Sequence, residues 1–341
     1  MPSENCLNLH DICSNCEECI TCGTCDCERC SCCGNLADAY CPDCDYCLSC
    51  CSCEHTRVRH EGGPLAFLRS RPLDKYKNPI TRCTSLEIEI ARVDRNINIK
   101  SAADYWDFAI VGDGSLPDGG FEINTMPASG QKFIDQLRAI AEALNEDGAQ
   151  VDRSCGLHNH VDCRDLTWYD MRKVILLWME IESAIYMMVP KARRENHYCL
   201  PIRGRFLKAL ECFKMPHASK VALMRTIYGT GLIKSLKQEK YHESRYSVLN
   251  VHSWVYRGSL EFRLPPGTTV FDKFYGWASL FNGIVNFAMM HSERDLWAYK
   301  DYIGQVELSK KLLYQVAEYA KCKPFVERRL IRFANSLETE G

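Results

Sequence analysis

Hydrophobic and polar residues alternate with a period of two in several short stretches of this chain, and recur with a period near 3.6 in longer ones. The clearest short stretch is Ser85-Leu86-Glu87-Ile88-Glu89-Ile90. In a strand, Leu86, Ile88 and Ile90 share one face, and Glu87 and Glu89 share the other. The same reading predicts strands at Leu86–Val93, Phe108–Gly112, Phe121–Thr125 and Gln150–Asp152 continuing to Val161. A last pair, Tyr246–Val251 and Ser259–Leu264, reads as a hairpin turning at Tyr256-Arg257-Gly258. Helical periodicity marks Gln131–Asn145, Thr167–Val189, Gly204–Phe213, Ala218–Ile227, Phe271–Met290, Leu308–Ala320 and Pro324–Ser336. Strands that carry charges beside helices that carry apolar stripes predict an α+β fold, an antiparallel sheet with helices on one face.

Cysteine divides the chain. Of 22 cysteines, 16 lie between Cys6 and Cys53, and residues 1–55 carry ten Asp or Glu against the single basic residue Arg29. The head is therefore formally −9 and the remainder +7, within a whole-chain charge of −2. The reading is a cysteine-rich domain at 1–55, a linker or arm at 56–80 marked by Pro64, Pro72 and Pro79, and a body at 81–341 large enough for its own core. No early segment has a basic start followed by an apolar run, which predicts a cytoplasmic protein with reduced thiols. The most apolar stretch, Val174–Val189, is interrupted by Glu180, Glu182 and Ser183 and reads as a core helix, not a membrane span.

In the head, Cys13, Cys16, Cys19, Cys22 and Cys25 recur every third residue, followed by Cys27, Cys30, Cys32 and Cys33. After a gap come Cys41, Cys44, Cys47, Cys50, Cys51 and Cys53. A C-x2-C spacing lets two thiolates grip one tetrahedral zinc, so sixteen thiols would hold about four ions at four ligands each. An iron–sulfur cluster is the rival, but the closing C-x3-C-P of a ferredoxin run is missing. A disulfide-stapled knot is the third reading. The expectation is a small domain held by structural Zn²⁺. With one Arg among ten acids the head does not suit nucleic acid, so it is expected to bind a protein partner or pack on its own basic body.

Buried charges inside apolar strands are costly unless something binds them. Glu87 and Glu89, His158 and His160 in Gly156-Leu157-His158-Asn159-His160-Val161-Asp162, and Glu261 and Arg263 in Ser259-Leu260-Glu261-Phe262-Arg263-Leu264 repeat one i, i+2 spacing. Asp113 and Glu122 complete a hard, carboxylate-rich donor set that favours Mg²⁺ or Mn²⁺. Arg263 suits a phosphate or carboxylate anion. Neither G-x-G-x-x-G nor G-x4-G-K-[ST] occurs, so nucleotide binding would rest on metal and not on a phosphate loop. Each pair alone fits the solvated face of an edge strand, and Asp113 alone fits a turn; their joint order is what points to a site. Cys155 and Cys163 flank the histidines, but with the opposite strand parity.

This order of motifs, with Asp113-Gly114-Ser115-Leu116 before Phe121-Glu122-Ile123-Asn124-Thr125-Met126-Pro127, resembles the amidoligase branch of the glutamine synthetase and glutamate–cysteine ligase superfamily over roughly Ser85–Thr268. The resemblance implies a glutamine-synthetase-like sheet and an ATP-dependent carboxylate–amine ligase with Mg²⁺ or Mn²⁺. It implies that Glu89 and Glu122, with Asp113, hold the metal nearer the substrate carboxylate. Glu87, His158 and Glu261 would hold the metal on the nucleotide phosphates. Arg263 would stabilise the transferring phosphoryl group, and His160 would lie near nucleotide. Arg193, Arg194 and Asn196 resemble the family's basic substrate loop, while Tyr246 and Asn250 are expected to line the pocket. The substrates implied are a carboxylate and an amine on a peptide, protein or cell-wall-like acceptor, with no nucleic acid or membrane partner. The branch is often phage-associated, which implies a virus-encoded enzyme acting in a host cytoplasm. Two other classes stay open: a metal-dependent hydrolase or nucleotidyl-transfer enzyme on the same carboxylates, and an inactive ligase-like scaffold whose zinc head recruits a partner.

Overall fold

The computed structural model describes residues 80–117, 119–203, 227–228 and 241–338. The cysteine-rich domain, the linker up to residue 79, the helix expected at 204–213 and all but the last residue of that expected at 218–227 lie outside the described residues. What is described is α+β, built on one six-stranded antiparallel sheet.

The strands are β1 (Thr84–Ile90), β2 (Ala109–Val111), β3 (Phe121–Asn124), β4 (Leu157–Asp162), β5 (Leu249–Asn250) and β6 (Ser259–Phe262), in the order β2-β3-β1-β4-β6-β5. Their alternation separates two chemistries. Leu86, Ile88, Ile90, Ile123, Leu157, Val161, Leu260 and Phe262 are all fully buried in the apolar core. The intervening residues carry the carboxylates and imidazoles to the other side.

Helices pack around the sheet. They are α1 (Ile97–Trp106), α2 (Gly130–Glu146), α3 (Trp168–Tyr186), α4 (Lys191–Arg194), α5 (Val251–Arg257), α6 (Phe271–Met290), α7 (Glu293–Trp297), α8 (Val306–Tyr319) and α9 (Lys323–Glu338), with α5 beside the polar side of the sheet. A capping box fixes the start of α3: Thr167 accepts from the Asp170 N–H, and the Asp170 carboxylate accepts from Thr167. Helix α6 packs on β4 and touches α2, α3 and α8. Its Phe281 stacks on Phe262 of β6 at 4.3 Å, with Trp178 of α3 at 5.4 Å from the same ring. Close helix packing uses two glycines. A Cβ at Gly276 would lie 2.4 Å from the Phe325 ring, and one at Gly283 only 2.3 Å from the Ala320 Cβ.

The entry into β1 is clamped. Arg82 donates to both Asp165 oxygens at 2.6 and 3.0 Å and to Asn286 at 2.8 Å, while its backbone N–H donates to Asn282. This ties the first described residues to α6 and to the segment after β4.

Several elements differ from expectation, among them these. Residues 251–257 form helix α5, not a strand and hairpin turn, although β5 and β6 do pair. Asn250 caps this helix by accepting from the Ser253 N–H, and Gly258 ends it at φ 84°. Gln150 does not continue into β4. It bridges to Arg92, and Asp152 then turns the chain by accepting from the Ser154 N–H. Helix α1 was not anticipated.

Candidate active site

The pairing register places the polar side chains in rows across the sheet. Glu89 lies opposite Glu122, Glu87 lies between Asn124 and His158, and His160 lies opposite Glu261, which faces Asn250 on β5. Four strands thereby bring together two groups of side chains that could each hold a metal ion. Donor atoms of Glu87, His158 and Glu261 lie within 4.8 Å of one another, and so do those of Glu89, Glu122 and His158. The sets share the His158 imidazole. Its Nδ1 is 3.1 Å from Glu87 and 3.7 Å from Glu261, and its Nε2 is 3.6 Å from Glu89.

Neighbouring groups hold these ligands in place. Glu89 accepts from the Gly156 N–H at 2.5 Å. Glu122 accepts from Asn124 at 2.8 Å, and Glu261 from Asn250 at 2.6 Å and from Arg263. His160 bridges Glu87 Oε1 at 3.1 Å and Ser259 Oγ at 3.0 Å, so it orients Glu87 and belongs to neither ligand set. Arg263 also donates to the Tyr198 carbonyl at 3.2 Å.

Beside the ligand sets lies a cavity of about 230 Å³, lined by Glu87, Asp113, Glu122, Glu261 and Arg263 on the sheet side. Asn250, His252, Ser253, Tyr256 and Arg257 line it from β5 and α5, and Tyr241 and Arg245 from the preceding loop. Arg257 reaches Glu87 Oε1 at 3.4 Å.

The carboxylates crowd one another. Burial, then the charges of Glu87, Glu89 and Asp113, push the Glu122 carboxyl up to about 8 against the help of Asn124. Burial also raises Glu261, yet Arg263 and His160 outweigh it and hold that carboxyl at about 2. Glu87 is likewise pushed up by burial but held well below the ordinary carboxylate range by His160 and His158. A divalent cation would relieve the repulsion that Glu122 feels, and a set of hard oxygens with one imidazole suits Mg²⁺ or Mn²⁺. The residues fit the group.

Nine of the expected residues meet here: Glu87, Glu89, Asp113, Glu122, His158, His160, Asn250, Glu261 and Arg263. Asp113 also accepts from the Ser115 N–H, so its turn role and its place on the cavity wall coexist. Four others, Arg193, Arg194, Asn196 and Tyr246, do not line the cavity. The Asn196 side chain caps a short 3₁₀ turn by accepting from the Tyr198 N–H, and Arg194 lies beside it at the end of α4. Tyr246 packs edge-on against Tyr198 instead. It is Arg193 that turns inward, 4% exposed, donating to the carbonyls of Leu264 and Arg263. Arg245 and His252 had no sequence expectation, and Tyr256 and Arg257 were expected only in a hairpin turn. The signal was available in Asn250 and Gly258, a cap at each end of α5. Cys155 and Cys163 are fully buried and burial raises both thiols, so neither is a ready thiolate.

A protein-family model described as "Putative amidoligase enzyme" matches residues 86–285. No curated protein matches the chain significantly. The matched stretch runs from β1 into α6, holds every ligand just described and spans more than half of the 341 residues. The chain belongs to this amidoligase family.

Proposed function

We propose that the protein is an ATP-dependent carboxylate–amine ligase that forms an amide through an acyl phosphate. The observation that carries this reading is the pair of candidate ligand sets around His158, set beside a cavity into which Arg263 faces from the sheet side and Arg257 from α5. Glu89 and Glu122 would hold one divalent ion and Glu87 and Glu261 the other, with the single lone pair of His158 serving either, and with Asp113 in reach of the cavity. Bound there, the ions neutralise charge on the nucleotide's terminal oxygens and on the substrate carboxylate, which phosphoryl transfer chiefly demands.

The chain's own groups do the rest. Arg263, fixed by Glu261 and the Tyr198 carbonyl, presents its guanidinium to the transferring phosphoryl group. Asn250 and His160 keep Glu261 and Glu87 aimed. A substrate carboxylate oxygen attacks the γ-phosphorus and ADP leaves. An amine then attacks the acyl carbon, loses a proton, and phosphate departs with the bridging oxygen. The amine and the acid are carried on a peptide, protein or cell-wall-like acceptor, in the cytoplasm, and the cysteine-rich segment acts as a zinc-bound recruitment head.

The test uses acid substrate labelled with ¹⁸O in its carboxylate. One label should appear in the released phosphate for each amide formed. Amide formation with label-free phosphate would overturn the mechanism, and turnover without nucleotide would favour a hydrolase.

A further inference from the structure

A second concavity lies away from the ligand sets, between the start of α6 and the outer face of α9. Its volume is about 500 Å³, and its walls include Lys273, Arg328, Arg329 and Arg332 with the apolar Val270, Phe325 and Ile331. The one acid on its wall, Asp272, forms no ion pair with any of the four cations, and none of them pairs with another described carboxylate. Arg329 is only 6% exposed; its Nε donates to the Met188 carbonyl at 2.9 Å, and its Nη2 has no hydrogen-bond partner among the described residues. Burial and then Arg332 push Arg329 down to about 10, and burial, Arg329 and Arg332 push Lys273 down as well. The groove thus carries positive charge that repels itself, beside exposed apolar side chains such as Ile331 at 66%. That combination is stabilised by an anionic chain with apolar residues of its own.

The chain contains such a segment. Residues 1–55 are formally −9, while the rest of the chain is +7, and metal-bound thiolates would add further negative charge. Reach permits the contact. Thr81 meets Asn286 of α6, thirteen residues from Lys273, or about 20 Å along a helix. Residues 56–79 can span up to about 80 Å when extended.

We propose that the groove between α6 and α9 is the docking site for the acidic, cysteine-rich segment of the same chain. This does not depend on the ligase reading, because none of the groove residues belongs to the ligand sets. The test is zero-length carbodiimide coupling of the full chain, which joins a lysine amine to a carboxylate in contact with it, followed by peptide mass spectrometry. A one-to-one mixture of ¹⁵N-labelled and unlabelled chains reports whether each link is intramolecular. The expected result is Lys273 linked within one chain to Asp or Glu of residues 1–55. The double variant R328E/R332E should lose these links and leave Lys273 open to an acetylating reagent. Links only to Asp272 or Glu327, links between labelled and unlabelled chains, or a cross-link pattern that the double variant leaves intact would each overturn the proposal.

Discussion

At the scale of single residues, the site depends on how closely the backbone approaches its ligands. A Cβ on Gly156 would lie 3.1 Å from His158 Nε2 and 3.2 Å from Arg193 Nη2. Gly156→Ala should therefore displace the shared imidazole without unfolding the sheet and weaken Mn²⁺ binding by about tenfold to a hundredfold. Calorimetric titration checks this, and unchanged affinity would count against His158 as a ligand. Glu89→Ala removes one ligand and should lower turnover by at least about a hundredfold, with the far-ultraviolet dichroism unaltered. Glu180 makes a separate case. Its carboxylate is fully buried on α3 with no hydrogen-bond partner among the described residues, and burial raises it to about 9. The folded state then keeps a proton that the unfolded state releases above the ordinary carboxylate range. Stability should be highest below about pH 4.5 for this group and decline until about pH 9, by about 6 kcal/mol in all at roughly 1.4 kcal/mol per pH unit. Glu180→Gln should flatten much of that decline in urea unfolding curves between pH 5 and 8.5. An unchanged slope would show that Glu180 is not protonated in the fold.

At the scale of elements, legibility in the sequence followed how local the cause was. Strand β1 and the motif of β4 declared themselves because alternation is set by neighbours in sequence, and α6 ran from Phe271 to Met290 as its periodicity predicts. Helix α1 gave no such signal because its cap comes from elsewhere. Asn96 makes no capping bond, while the Asp147 carboxylate, fully buried after α2, accepts from the N–H groups of Asn98 at 3.2 Å and Ile99 at 2.9 Å. Asp147→Ala should leave those groups unsatisfied and cost about 1–3 kcal/mol. Hydrogen exchange should locate the loss in α1, and protection of α1 equal to the parent's would argue against this cap. Helix α5 was missed between a strand expected to end at Val251 and a hairpin turn expected at Tyr256-Arg257-Gly258, because Val251, Trp254 and Val255 are apolar enough for either element over so few residues. That misreading hid Arg257 and His252, so the cavity's cationic wall was invisible while its carboxylates were legible.

At the scale of the whole molecule, one feature has a further effect: two ligand sets share a single ring. A neutral imidazole has one lone pair available, on one nitrogen, while its other nitrogen carries the proton. Whichever ion arrived first at His158 would take that lone pair and fix the tautomer, leaving carboxylates alone for the second. Occupancy would then follow an order of assembly and not two independent equilibria. Mn²⁺ titration followed by electron paramagnetic resonance should show two unequal steps, and His158→Ala should bring them closer together by weakening the first. Two equal, independent steps in the parent would mean that the ring serves one ion only. Ordered filling makes the second, looser ion the natural one to come and go with nucleotide, so that the protein would wait between turnovers holding one metal and not two.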